Sequence, residues 1–185
     1  MSRIDALLRA YASQLEMPWA PGLSGGEKVW FCIYDKVDER RLRLHLPAFS
    51  NATKAAGFTW CSVDLTDAFA EWMAGQEYRA SYFESPELLD TDKLRDFLAA
   101  VVAQISTSLK TAGERGVLAL TGLGAVFGFL RVSEIVHEVE RLIAGRLVVF
   151  FPGDYDNGNY RFLDARDGLS YHAIPILPDQ GAASK

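Results

Sequence analysis

The sequence predicts a three-layer α/β domain with a mainly parallel central sheet flanked by helices and a C-terminal antiparallel hairpin. Short apolar runs alternate with segments of helical periodicity, which is typical of strand–helix–strand units. The clearest unit begins at Gly116 and consists of a buried strand, a glycine turn, a helix and a second buried strand. Asp156-Asn157-Gly158 follows it and suits a hairpin turn. With 185 residues, 49% of them hydrophobic, the chain is long enough for one domain with a core.

Composition and charge exclude several classes of protein. The chain has 19 Lys and Arg against 24 Asp and Glu, a formal net charge of −5. Because phosphate contacts dominate affinity for nucleic acid, we expect no autonomous DNA binding, and contact with nucleic acid only inside a larger complex. No apolar segment reaches membrane-spanning length, and Arg3 and Asp5 begin an amphipathic pattern rather than a secretory signal. We therefore expect a cytoplasmic protein without membrane contact, in which Cys32 and Cys61 are reduced core residues.

The N-terminal half is predicted to supply two helices and two strands. The first helix follows Ser2, its N-cap, and places apolar residues at helical spacing from Ile4 to Leu15. Strands at Val29–Tyr34 and Phe58–Leu65 come before and after a second helix along the chain. Pro47 should kink or split this helix, because proline removes a backbone donor. This helix has a basic face made of Arg40, Arg41, Arg43 and His45. We favour a solvated face partly neutralised by Asp38 and Glu39 over a nucleic-acid or acidic-protein contact.

The middle of the chain is predicted to be mostly helical. A short helix covers Ala68–Ala74, and the best amphipathic helix of the chain begins at Asp90 or Thr91 and ends at Gly113. Residues 75–86 form an aromatic loop between them. Two interpretations of this loop stay open: a lid or docking segment, or a cover for the core.

The C-terminal half is predicted to form four further strands and a helix. A strand at 117–120 ends in the glycine turn 121–124, a helix then runs to Gly145, and Pro152-Gly153 breaks the following strand after Phe151. Segments 160–164 and 170–177 are predicted to pair with each other around Asp167-Gly168, with Pro175 marking a sheet edge. We expect a single domain over residues 1–177 and a flexible tail over 178–185.

Two segments carry a family resemblance. LALTGLGAVFGFLR and VVFFPGDYDNGNYRFLD resemble the BrxB family of the BREX bacteriophage-defence systems, and WFCIYD resembles a strand of that family. The likeness covers most of the chain, with two departures: Gly128 stands where the family has proline, and the acidic turn has one additional residue. The resemblance implies a cytoplasmic defence component with no established catalysis that works with other proteins of its system. The predicted domain also resembles a nucleoside-triphosphatase-type core without phosphate-binding machinery.

Motifs for catalysis are incomplete. Gly22-Leu-Ser-Gly-Gly26 matches a nucleophile elbow by letter, but it follows a loop and precedes a strand. His137-Glu138 has no second histidine at the spacing of a zinc site, and the acidic turn after Asp154 departs from a calcium loop. We therefore predict no enzyme activity, no cofactor and no metal site. Asp64 at a strand end is most simply a turn or capping residue.

Two alternatives to a non-enzymatic role stay open. A small metal-dependent hydrolase or nuclease would use Asp64, Asp154 and Asp156. A degenerate nucleotide sensor would hold an anion on the backbone of the glycine turn, Thr121–Gly124, although close helix–sheet packing also explains those glycines.

The leading hypothesis is an accessory subunit that docks onto another BREX protein, and the resemblance makes the PglZ component the first choice of partner. The predicted partner-binding surface combines the glycine turn, one arginine and the loop before the hairpin. Its residues are Thr121, Gly122, Gly124, Arg131, Pro152, Gly153, Asp154, Tyr155 and Asp156.

Overall fold

Five parallel strands form the central sheet of the computed structural model, which describes residues 2–20, 22–163, 165–166 and 172–178. Their order is β2-β3-β4-β1-β7, and every neighbouring pair is parallel. The strands are β1 (Val29–Tyr34), β2 (Thr59–Asp64), β3 (Gly116–Thr121), β4 (Arg146–Asp156) and β7 (Ile174–Ile176). The innermost strands are apolar and wholly buried, as expected of strands covered on both faces.

Helices cover both faces of the sheet and confirm the predicted three layers. On one face, α1 (Arg3–Glu16) and α2 (Glu39–Ala55) pack against Trp30 and Phe150. On the other, α3 (Ala68–Ala74), α5 (Thr91–Ala112) and α6 (Val132–Val139) pack against Phe31 and Val149. Cys32 and Cys61 are both free and contribute to the cores on opposite faces. No helix within the described residues has the length and apolarity needed to cross a bilayer.

Strand β4 is longer than predicted, because Pro152-Gly153 does not break it. Its first part pairs with β1 and β3, and its last residues pair antiparallel with β5 (Asn159–Phe162). Pro152 lies where the strand leaves one partner for the other, so its missing N–H costs little. Gly153 is needed there, because an ideal Cβ would lie 2.0 Å from the Arg161 carbonyl oxygen.

The last strand pairs differently from the prediction. Strand β7 lies parallel to β1, whereas β5 pairs with β6 (Ala165–Arg166). Residues 170 and 171 of the predicted strand and the predicted turn at 167–168 fall outside the described residues. Pairing with β1 buries Ile176 in the α1/α2 core, which explains why this edge is preferred. Pro175 does lie on an edge strand, as predicted. Residues 179–185 of the predicted tail lie outside the described residues. The domain boundary after residue 177 stays a prediction.

Three helical predictions need correction. Helix α2 runs through Pro47 without the predicted split, because buried Leu42 and Phe49 hold its two halves on the same core, while a kink at Pro47 stays a prediction. Residues 79–84 of the predicted aromatic loop form a short helix, α4 (Arg79–Glu84). The glycine turn leads into a 3₁₀ turn at Leu123–Val126, and α6 begins only at Val132 and continues as a 3₁₀ turn at Glu140–Leu142.

Candidate protein-docking surface

The strands β2 and β3 end side by side at the carboxyl edge of the sheet, where the predicted glycine turn lies, and β1 ends at the same edge on the other side of β4. Asp64 is paired in register with Thr121, so the ends of β2 and β3 are adjacent. A shallow depression of about 330 Å³ opens above them. We call it the glycine-turn depression; the residues that line it include Lys36, Arg43, Thr66, Gly122, Gly124 and Pro152. The structure therefore brings the glycine turn and Pro152 together.

The two glycines of this turn have different roles. Gly122 has a left-handed backbone with φ +75°, and an ideal Cβ there would lie 2.3 Å from Asp64 Oδ1 and 2.5 Å from the Thr66 nitrogen. No side chain fits at this position without displacing the neighbouring turn. A Cβ on Gly124 would meet no atom within 4 Å. Gly122 therefore serves close packing, whereas Gly124 is open at the surface.

Asp64 is engaged in local structure. Its carboxylate accepts hydrogen bonds from the Thr66 backbone nitrogen at 3.0 Å and from the Thr66 hydroxyl at 2.5 Å. Arg43 Nη1 donates to it at 3.0 Å, while Arg43 Nε donates to Glu39 at 2.8 Å. Partial burial opposes ionisation, but the hydrogen bonds from Thr66 and Arg43 outweigh it and hold the pKa of Asp64 below its usual value. The structure thus confirms the turn role predicted for Asp64.

The carboxylates of the metal-dependent alternative are not brought together. Asp154 and Asp156 lie on the outer part of β4, opposite Arg161 and Asn159, whereas Asp64 ends β2. Within the described ranges, no group of three or more His, Cys, Asp or Glu side chains is placed to hold a metal ion. The glycine turn is also not the start of an α-helix, so it lacks the aligned N–H groups that favour an anion.

Arg131 lies in a second concavity, a groove of about 770 Å³ between α5 and the loop that precedes α6. We call it the aromatic groove; its lining includes Leu94, Arg95, Leu98, Phe127, Phe129 and Arg131. Phe127 and Phe129 are 44% and 37% exposed, although each also contacts the core. Phe129 stacks on Phe69 with ring centroids 4.0 Å apart, and Phe127 contacts Phe162 at 5.5 Å.

The Arg131 guanidinium is available for a partner. The backbone nitrogen of Arg131 donates to Glu134 Oε2 at 3.2 Å, so Glu134 caps α6. The guanidinium itself forms no ion pair with any described residue. An exposed arginine beside two exposed phenylalanines is the residue combination found at protein interfaces.

The predicted docking residues divide by accessibility. Gly124, Arg131, Asp154 and Asp156 are exposed, Tyr155 is half-buried against Tyr160, and Thr121, Gly122, Pro152 and Gly153 are buried. The buried members shape the surface rather than present side chains to it. Phe127, Phe129 and the α5 residues were not predicted to belong to the site. The clue was the run of apolar residues on both sides of Gly128, which one helix face cannot bury.

The basic face of α2 is largely neutralised by acids of this chain. Arg41 pairs with Asp38 at 3.2 Å and Arg43 with Glu39 at 2.8 Å, as predicted. His45 Nε2 lies 3.3 Å from an Asp5 oxygen. This face is therefore poorly suited to neutralise phosphates.

Comparison with known proteins adds one finding. The sequence model of a protein family described as BREX protein BrxB matches residues 61–176, which is more than half of the chain. No curated protein and no solved structure matches the chain significantly.

Proposed function

The chain belongs to the BrxB family of BREX phage-defence proteins, and on that basis we propose that it is a non-enzymatic docking subunit of its system, acting in the cytoplasm. A BREX component works among other BREX proteins, so we expect this chain to have a surface suited to protein contact. The aromatic groove is that surface, and its exposed Phe127, Phe129 and Arg131 are the observation that carries the proposal.

The partner we propose is the PglZ component of the same system. Complementary chemistry defines what that protein has to present. We expect an acidic side chain against Arg131, an apolar side chain between Phe127 and Phe129, and a basic side chain near Asp154 and Asp156. The β4–β5 hairpin lies beside the aromatic groove, because Phe162 of β5 lines it and contacts Phe127.

Affinity measurements on variants of the full-length chain test the surface. Phe129→Ala and Arg131→Ala should each weaken binding to purified PglZ component at least about tenfold, because interface aromatics and arginines contribute roughly 2 kcal/mol or more. Leu44→Ala and Arg141→Ala are controls: both residues are exposed and neither lines the groove. The controls should bind within about twofold of the unmodified protein, since typical surface changes cost little.

Melting curves separate lost binding from lost folding. All four variants should remain folded, although Phe129→Ala also removes a ring contact with Phe69. Unchanged affinity in both groove variants would remove the aromatic groove as the docking site.

Partner identity needs a separate measurement in the native host. Stoichiometric capture of PglZ with this protein at low salt would support the proposed partner. Capture of a different BREX protein would keep the docking role and overturn the choice of PglZ. Recovery of this protein alone would contradict the docking role itself.

A further inference from the structure

A third cavity, of about 920 Å³, lies at the opposite end of the sheet, beside the amino ends of the parallel strands. The docking surface does not involve it. Its walls combine apolar and cationic side chains, among them Leu15, Trp19, Lys28, Phe58, Arg115 and Arg146. Its volume falls within the range of sites for small molecules, roughly 300–1,000 Å³.

Arg146 is the unusual residue of this cavity. It is only 5% exposed, and burial lowers the pKa of its guanidinium from the usual value. Its Nη1 donates to the Gly145 carbonyl oxygen at 2.9 Å, whereas its Nε is covered and has no partner among the described residues. A buried cation without a carboxylate partner is costly.

Aromatic rings offset part of that cost and hold the guanidinium in place. Its carbon lies 4.4 Å from the Trp19 ring centroid and 5.7 Å from that of Trp30. Trp19 in turn stacks on Phe58 at 3.8 Å. The indole nitrogens of Trp19 and Trp30 are also buried without a hydrogen-bond partner in the described part of the chain. Donors that lack acceptors are therefore concentrated around one fixed guanidinium.

The other charges around the cavity are either engaged or exposed to solvent. Lys28 Nζ donates to the Ile143 carbonyl oxygen at 3.0 Å, and Arg115 Nη2 donates to that of Gly57 at 2.8 Å. Glu16 and Glu114 also line the cavity, and both are exposed. The Nε of Arg146 therefore lacks an acceptor in the described part of the chain, and a planar guanidinium suits one planar carboxylate rather than a chain of phosphates.

We propose that this cavity binds a small organic carboxylate with an apolar body, whose oxygens accept hydrogen bonds from the guanidinium of Arg146. The apolar body lies against Trp19 and Phe58, which form the wall beside the guanidinium. The site is separate from the docking surface, so this proposal does not depend on the proposed function.

Calorimetric titration with 3-phenylpropionate tests the site in the full-length protein. We expect saturable binding, at least about tenfold weaker binding of the neutral analogue 3-phenylpropanamide, and a loss of similar size in Arg146→Met, as for removal of a charge-assisted hydrogen bond. Lys110→Met is the control, because it removes one exposed positive charge outside the cavity and should bind like the unmodified protein.

A second variant and a second anion complete the test. Arg146→Lys keeps the charge but not the planar fork, so it should also bind more weakly, and it replaces Arg146→Met if that variant does not fold. Full-strength binding in the lysine variant, equal binding of the amide or absence of saturable binding would each overturn the proposal. Inorganic phosphate that binds as tightly as 3-phenylpropionate would overturn the assignment to a carboxylate with an apolar body.

Discussion

Replacing Gly122 by alanine should destabilise the domain by about 2–4 kcal/mol. The left-handed backbone at this residue costs a side chain with a Cβ roughly 1–2 kcal/mol. The added Cβ would also lie 2.3 Å from Asp64 Oδ1 and 2.5 Å from the Thr66 nitrogen, too close for either atom to stay in place. At least one hydrogen bond from Thr66 to Asp64 is then lost, at roughly 1 kcal/mol or slightly more.

Gly124→Ala is the matched control two residues later. It makes the same chemical change in the same turn, but its Cβ would meet nothing within 4 Å and its φ is outside the left-handed region. We expect it to be neutral or stabilising by roughly 0.4–1 kcal/mol, because alanine restricts the unfolded chain.

Denaturant unfolding followed by far-ultraviolet circular dichroism gives the free energy of unfolding of both variants. For a domain of this size, a loss of about 2–4 kcal/mol in Gly122→Ala corresponds to a fall in Tm of roughly 4–16 °C. In an Asp64→Ala background, the same substitution should cost less, because one of the clashing atoms is absent. If Gly122→Ala and Gly124→Ala agree within about 0.5 kcal/mol, the argument from close packing is wrong.

Three further perturbations test the core and the carboxyl edge. Because hydrogen bonds lower the folded-state pKa of Asp64, its stabilisation is present above the unfolded value near 3.8 and is lost as the pH falls below it. Asp64→Asn should therefore flatten the acid limb of a stability–pH curve, and an unchanged limb would contradict this. Tyr11→Phe removes the buried 2.6 Å hydrogen bond to Thr53 and should lower the free energy of unfolding by about 1 kcal/mol in denaturant titrations. Gly153→Ala would place a Cβ 2.0 Å from the Arg161 carbonyl oxygen, so amide exchange in the β4–β5 hairpin should accelerate while α1 stays protected.

Local patterns were sufficient to predict most of the sheet and its helices. The strands β1 and β3 are continuous apolar runs, and α5 has its cap at Asp90 and its stop at Gly113, so each is identified by neighbouring residues alone. The partner of β7 was predicted wrongly, because pairing joins segments far apart in sequence. The short segment Ile174–Ile176 fits an edge strand beside β1 as well as one strand of a hairpin. Pairing with β1 is favoured because it buries Ile176, which the local sequence does not reveal.

The candidate site was predictable only in part, for similar reasons. The turn role of Asp64 follows from its own neighbours, but Arg43 reaches it from a helix 21 residues away. Phe127 and Phe129 were missed as surface residues because the helix was expected to begin before them. The 3₁₀ turn and a left-handed Gly128 delay that helix, which leaves both rings at the surface.

Strand β4 holds the two ends of the molecule at a fixed distance from each other. Its 11 residues begin at Arg146, beside the amino-edge cavity, and end at Asp156 in the hairpin. Every residue between them is paired with a neighbouring strand, so the connection contains no joint. At about 3.3 Å per residue, the separation is roughly 35 Å. A partner of ordinary interface size at one end therefore leaves the other uncovered, and a single molecule has room to hold a protein and a small ligand at the same time.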